Sequence, residues 1–122
     1  MKTEDLAREV LSKLTDEGRT LATAESCTGG LLGKLLTDVP GASNAYKGGV
    51  ISYVNEVKHR LLGVEQETLD VCTAVSRETA HEMAKGAREA VKADVGVSTT
   101  GLAGPDGDGT GRPVGLVYIA LD

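Results

Sequence analysis

Ser26 and Cys27 stand side by side in the stretch TAESCTGG, with Gly29 and Gly30 directly behind them. A hydroxyl or thiol ahead of a Gly-Gly pair at a helix mouth has the parts of a nucleophile with an anion cradle. The glycines leave backbone N–H groups unshielded, and a helix start carries partial positive charge. Serine and threonine also cap helices, so Ser26 alone reads either as a cap or as a nucleophile. Thr28 competes for the capping role, which frees Ser26 for chemistry. Cys27 is the rival nucleophile. Adjacent residues at a strand end point to opposite sides, so only one of the two is expected to face a pocket. A free cysteine is more often a small buried hydrophobe, and Ser26 is preferred.

A serine nucleophile needs a base. His59 and His81 sit among charged neighbours on helical segments and read as surface residues. Lys58 is the more interesting candidate. In SYVNEVK, Asn55 is the expected N-cap, which places Lys58 at the third helical position, where a capping box prefers Glu or Gln. A cation there opposes the helix macrodipole, and partial burial lowers its pKa toward the neutral amine that a general base requires. The plainer alternative is a solvated surface lysine. Tyr53, just before the turn, is placed to hold the lysine or relay a proton through its hydroxyl; its plainer alternative is a strand-end aromatic reaching water.

These residues must be positioned by regular elements. Leu6, Val10, Leu11 and Leu14 recur at helical spacing and Gly18 supplies a stop, which predicts a helix over 3–17. RTLATAE reads as a short buried strand, and residues 28–38 as a second helix ended by Pro40-Gly41. YKGGVISYV is a strand weakened by two glycines, followed by a short helix from Asn55 to Leu62 and a longer one over 76–93. VGVSTTG and PVGLVYIAL are two further strands, joined by the loop LAGPDGDGTGR. Asp106 to Gly111 imitates the first half of a calcium loop, but Val117 stands where the closing Glu belongs. A mobile loop over a ligand site is the better reading. Alternating strands and helices imply an α/β layer architecture, with ligands at strand ends where loops meet helix starts.

The bulk numbers narrow the function. With 122 residues, 40% of them hydrophobic, one domain spanning 1–122 with one core is feasible. Three tyrosines, no Phe or Trp and a net charge of −5 argue against nucleic-acid binding, which needs stacking platforms and clustered cations. Two cysteines without metal-type spacing imply neither a disulfide framework nor a metal site. The charged N-terminus and the absence of a long apolar run predict a cytoplasmic protein without a membrane partner.

The stretches TAESCTGG, PGAS, GGVISYVNEVKHRLLGV, AVS, TTGLAGPDG and PVGLVYIA, in this order and spacing, resemble the C-terminal domain of the competence/damage-inducible protein CinA, a family whose members also occur alone as nicotinamide-nucleotide amidases. The resemblance implies a three-layer α/β/α sandwich around a mixed, mostly parallel sheet. It also implies hydrolysis of nicotinamide mononucleotide to nicotinate mononucleotide and ammonia; no ligand cluster in the sequence implies a metal or organic cofactor. The family's catalytic serine, tyrosine and lysine fall on Ser26, Tyr53 and Lys58. Glu25, Thr28, Gly29, Gly30, Asn55, Thr100 and Gly101 are the expected substrate-binding residues, with the oxyanion meeting N–H groups near Thr28 to Gly30.

Family members continue past PVGLVYIAL with another strand and a helix bearing a basic residue for the phosphate, so a shortened domain is expected here. Arg112 is the candidate substitute for that residue, and the exposed sheet edge implies a homo-oligomer. Two other readings remain open: a catalytically silent nucleotide-binding or regulatory module, and an interaction protein of DNA uptake or damage response.

Overall fold

The computed structural model describes residues 2–122. In chain order the elements are α1 (Thr3–Glu17), β1 (Leu21–Glu25), α2 (Leu31–Thr37), β2 (Tyr46–Ile51), α3 (Asn55–Leu62), α4 (Gln66–Cys72), α5 (Arg77–Val91), β3 (Val95–Gly101) and β4 (Val117–Leu121), with a 3₁₀ turn at Ala42–Asn44. The sheet order is β2-β1-β3-β4; β1 runs parallel to both neighbours and β4 antiparallel to β3. Side-chain alternation along β1 divides the core. Ala22 and Ala24 pack with Leu62, Val64, Leu69, Met83 and Ala87 of the α3–α5 layer. Leu21 packs with Leu11, Leu36, Val39, Ala42 and Ala45 of the α1–α2 layer. The result is the expected α/β/α sandwich, its interior built from aliphatic and small side chains.

The close approach of α3 to α5 depends on Gly86. A Cβ there would fall well inside van der Waals contact of the Leu62 backbone carbonyl, which cannot yield as a flexible side chain would. Gly86→Ala is therefore expected to destabilise the fold by about 1–3 kcal/mol through overpacking. Chemical denaturation checks it; an unchanged midpoint would show that α3 can shift without cost.

Three boundaries and one element depart from the sequence expectation. The second helix begins at Leu31 and not at 28, because residues 26–30 form a turn. β2 ends at Ile51, leaving Ser52 to Val54 as a connector into α3, and β4 begins only at Val117. α4 was not anticipated: only Leu69 of its seven residues is buried, too little to show a helical period. On the exposed edge strand β4, Val117, Ile119 and Leu121 remain solvent-accessible. Among the described residues no helix is long and apolar enough to cross a membrane.

Candidate active site

The site lies at the carboxyl ends of the parallel strands. Glu25 is in register with Ile51, and the pairing runs on beyond the strands: the Ser52 N–H donates to the Glu25 carbonyl at 2.7 Å and the Ser26 N–H to the Thr99 carbonyl at 3.0 Å. These bonds fix the backbone on both sides of Ser26. The first turn of α3 then brings Lys58 across to it.

Lys58 is 1% exposed. Its Nζ donates to the carbonyls of Ser52 at 2.8 Å and Tyr53 at 3.2 Å, and lies 2.9 Å from Ser26 Oγ. Among the described residues no carboxylate pairs with it. Burial pulls its pKa below the ordinary 10.5, opposed only by the nearby Cys27 thiol. As placed, Nζ donates to all three oxygens; once the amine is neutral, its two N–H groups serve the two carbonyls and its lone pair is left for the Ser26 hydroxyl proton. Burial is the cause that lowers the pKa here. Asn55 is the first helical residue and the cap position is Val54, so Lys58 falls at the end of the first turn, one residue later than expected.

Tyr53 holds the lysine, but through its carbonyl and not its hydroxyl; its side chain is 70% exposed at the cleft. Ser52, which the sequence reading passed over, is fully buried and supplies the shorter of the two carbonyl contacts. Nothing in its residue type signals this role, since the contact is made by backbone.

The Gly-Gly turn does something other than expected. The Glu25 carboxylate is 2% exposed and accepts from Thr28 Oγ1 at 2.6 Å and from the N–H groups of Gly30, Leu32 and Gly33 at 3.1, 2.9 and 2.9 Å. Gly29 and Gly30 take positive φ, +61° and +110°, so the chain turns back tightly enough to present those N–H groups to it. Glu25 thus caps α2 from inside the protein and fills the cradle that the sequence assigned to a ligand anion. Neither Ser26 nor Thr28 is the cap; Thr28 instead joins Glu25 and, at 2.8 Å, Thr99 Oγ1. Among the described residues the backbone N–H groups of Cys27 and Thr28 are left without a carbonyl or carboxylate partner, and both face the Cys27 sulphur.

An open cleft of about 410 Å³ lies over Ser26 and Lys58. Tyr53, Val54 and Asn55 border it, and Gly101 to Gly104 with Asp106 of the β3–β4 loop complete it. The loop therefore does border the site, through Leu102 to Gly104 and Asp106 and not through Arg112. Of the expected binding residues, Asn55 and Gly101 reach the cleft; Glu25, Thr28, Gly29 and Gly30 belong to the cap and do not line it. Thr100 is turned into the α5 layer, where its hydroxyl donates to the Ala74 carbonyl at 2.8 Å. Arg112 donates to the Cys72 carbonyl at 3.3 Å and does not line the cleft either.

Cys27 corrects a second expectation. It borders the same cleft as Ser26, because strand alternation stops at Glu25 and the turn lets both side chains face one space. Burial raises its pKa above 9.0, which keeps the thiol protonated and poorly nucleophilic. His59 and His81 are exposed. Among the described residues no three His, Cys, Asp or Glu side chains group as metal ligands.

Comparison with known proteins adds three findings. Residues 3–122 match the model of the CinA C-terminal domain. A competence-damage inducible protein of Caldanaerobacter subterraneus subsp. tengcongensis is 55% identical over 118 residues, which cover 97% of this chain and 29% of that protein. A CinA-like protein of Leptospira borgpetersenii is 51% identical over 119 residues, 98% of this chain and 28% of the relative. The chain thus spans well under a third of the length of these relatives. Among solved structures, the competence/damage inducible protein CihA of Agrobacterium tumefaciens superposes with a TM-score of 0.93 at 44% identity, covering 98% of this chain and 72% of that one. The competence damage-inducible protein A of Klebsiella pneumoniae reaches 0.97 at 38% identity, covering 100% and 76%.

Proposed function

The chain belongs to the CinA C-terminal domain family, and from that membership we propose that it is an amidase that hydrolyses nicotinamide mononucleotide to nicotinate mononucleotide and ammonia. The observation that carries this reading is the buried, carboxylate-free Lys58 amine 2.9 Å from Ser26 Oγ, with its other two donors already committed to carbonyls. A lysine so placed, its pKa lowered by burial, can act as a base, whereas an ammonium held by a counter-ion is a poor one. The relatives' names speak of competence and damage and not of a reaction, so the chemistry rests on this geometry and on the family resemblance.

In the proposed mechanism Lys58 takes the Ser26 hydroxyl proton as Oγ attacks the carboxamide carbon. The negative charge on the carbonyl oxygen is met by the N–H groups of Cys27 and Thr28, the two in the turn without a carbonyl or carboxylate partner. The Lys58 ammonium then returns its proton to the departing nitrogen, which leaves as ammonia and yields a nicotinoyl ester on Ser26. Water, deprotonated by Lys58, cleaves that ester and restores the serine.

The test is ammonia and nicotinate mononucleotide release by the purified chain, with hydroxylamine added to trap the ester as a hydroxamate. Release with trapping is expected. Nucleotide binding by calorimetry with no release would instead favour a silent binding module.

A further inference from the structure

Ser26, Cys27 and Thr28 carry the nucleophile and both N–H groups assigned to the oxyanion, and the structure moors this short segment at each end. At one end the Ser26 N–H donates to the Thr99 carbonyl at 3.0 Å. At the other the Thr28 hydroxyl donates to Glu25 Oε1 at 2.6 Å. Its single proton is thereby used, so the Thr99 hydroxyl, 2.8 Å away, donates to the Thr28 oxygen. Thr99 therefore holds the segment twice, by its carbonyl at Ser26 and by its hydroxyl at Thr28. It is buried in β3, in register with Glu25 of β1.

Neither the turn nor the helix behind it needs the Thr28 hydroxyl. The Gly29 N–H closes the turn on the Ser26 carbonyl at 3.0 Å. Glu25 caps α2 through the N–H groups of Gly30, Leu32 and Gly33. What the hydroxyl adds is orientation. Pinned to β1 and β3 at once, Thr28 loses the freedom to rotate the peptide unit that bears its N–H. Donors fixed beforehand cost no reorganisation when charge develops on the oxygen they face. Glu25, Thr28 and Thr99 do not line the cleft, so their side chains act on the reaction only through this backbone. Resting on the amidase reading above, we infer that Thr28, clamped between Glu25 and Thr99, is a positioning residue that aims the oxyanion donors.

Thr28→Val keeps the shape of the side chain and removes the hydroxyl, whereas Thr28→Ser keeps the hydroxyl. In steady-state kinetics with nicotinamide mononucleotide, Thr28→Val is expected to lower kcat by about ten- to hundredfold, the scale of misplaced reacting groups. KM should stay within about twofold of the wild type, because the lost interaction belongs to the transition state. Thr28→Ser restores most of the turnover. Thr99→Val breaks the clamp from the other side and leaves the Thr99 carbonyl in place, so it lowers kcat in the same manner. The double variant is no slower than Thr28→Val alone, since both substitutions act through one contact. A Thr28→Val chain with the wild-type kcat overturns the inference. So does a loss confined to KM, a Thr28→Ser chain as slow as Thr28→Val, or a double variant in which the two losses multiply.

Labelling by a fluorophosphonate separates this inference from the amidase, because it calls on the nucleophile and the oxyanion donors without any nucleotide. Ser26 Oγ bonds to phosphorus, Lys58 takes the hydroxyl proton and fluoride leaves, while the phosphoryl oxygen makes the same demand on the two N–H groups. Labelling of Ser26, read by intact mass, is expected to slow about tenfold or more in Thr28→Val and to recover in Thr28→Ser. That pattern, with no ammonia released by the wild type, sinks the amidase and keeps the positioning role. Ammonia from the wild type, with kcat and labelling rate both unchanged in Thr28→Val, leaves the amidase and sinks the positioning role.

Discussion

Replacing Ser26 by alanine is expected to cut ammonia release from nicotinamide mononucleotide by about a thousandfold or more, the loss typical of removing a nucleophile. The fold should survive. Ser26 is buried, but its hydroxyl has one side-chain partner, Lys58, whose other contacts are unaffected. The stability cost is therefore about 1–2 kcal/mol, that of one lost buried hydrogen bond.

Cys27→Ala is the necessary companion, because both side chains border the same cleft. It should retain turnover, since a thiol held protonated by burial is a poor nucleophile while the serine has an amine at hydrogen-bond distance. Activity that persists in Ser26→Ala and vanishes in Cys27→Ala would reverse the assignment.

Lys58→Met carries the second large effect. Loss of the base is expected to lower turnover by about a hundred- to ten-thousandfold, and pH separates this role from a structural one. In the folded protein burial holds the lysine pKa below 10.5. Between the folded value and 10.5 the unfolded chain binds a proton that the folded chain does not, so stability rises with pH across that window. Below the window both states are protonated and the fold carries the full penalty of a buried ammonium; above it the penalty is gone. The methionine variant lacks this dependence. The wild-type stability minus that of the variant should thus climb with pH in the window and flatten above it, as read by denaturant titration at successive pH values. Wild-type turnover should rise over the folded pKa as the free amine appears. A flat stability difference, with turnover independent of pH, would mean that Lys58 is not the titrating base.

The elements around this pair were largely written in local pattern. Leucines at helical spacing with Gly18 behind them mark α1, and Gly18 does take the left-handed conformation that closes it. The apolar runs at 21–25 and 95–101 became the two central parallel strands, buried from both faces. Where local pattern ran out, the reason was tertiary. α4 buries one residue and has no period to read. The turn at 26–30 reads as a helix start because its residues suit one, yet Glu25 draws the N–H groups of α2 back onto itself and the helix begins three residues later than expected.

The sequence by itself determined the residue types that chemistry needs, a serine beside glycines and a lysine in the first turn of a helix, and the alternation of elements that makes a layered α/β fold. It could not determine that the two meet. They lie 32 positions apart, and they are joined only because β1 and β2 pair in parallel with Glu25 opposite Ile51. That pairing carries Ser52 and Tyr53 to the strand ends, where their carbonyls hold the amine. Nor could it decide whether the Gly-Gly turn serves a ligand or the protein's own Glu25. A backbone donor is chemically the same in either use, and its partner is fixed by where distant parts of the chain pack.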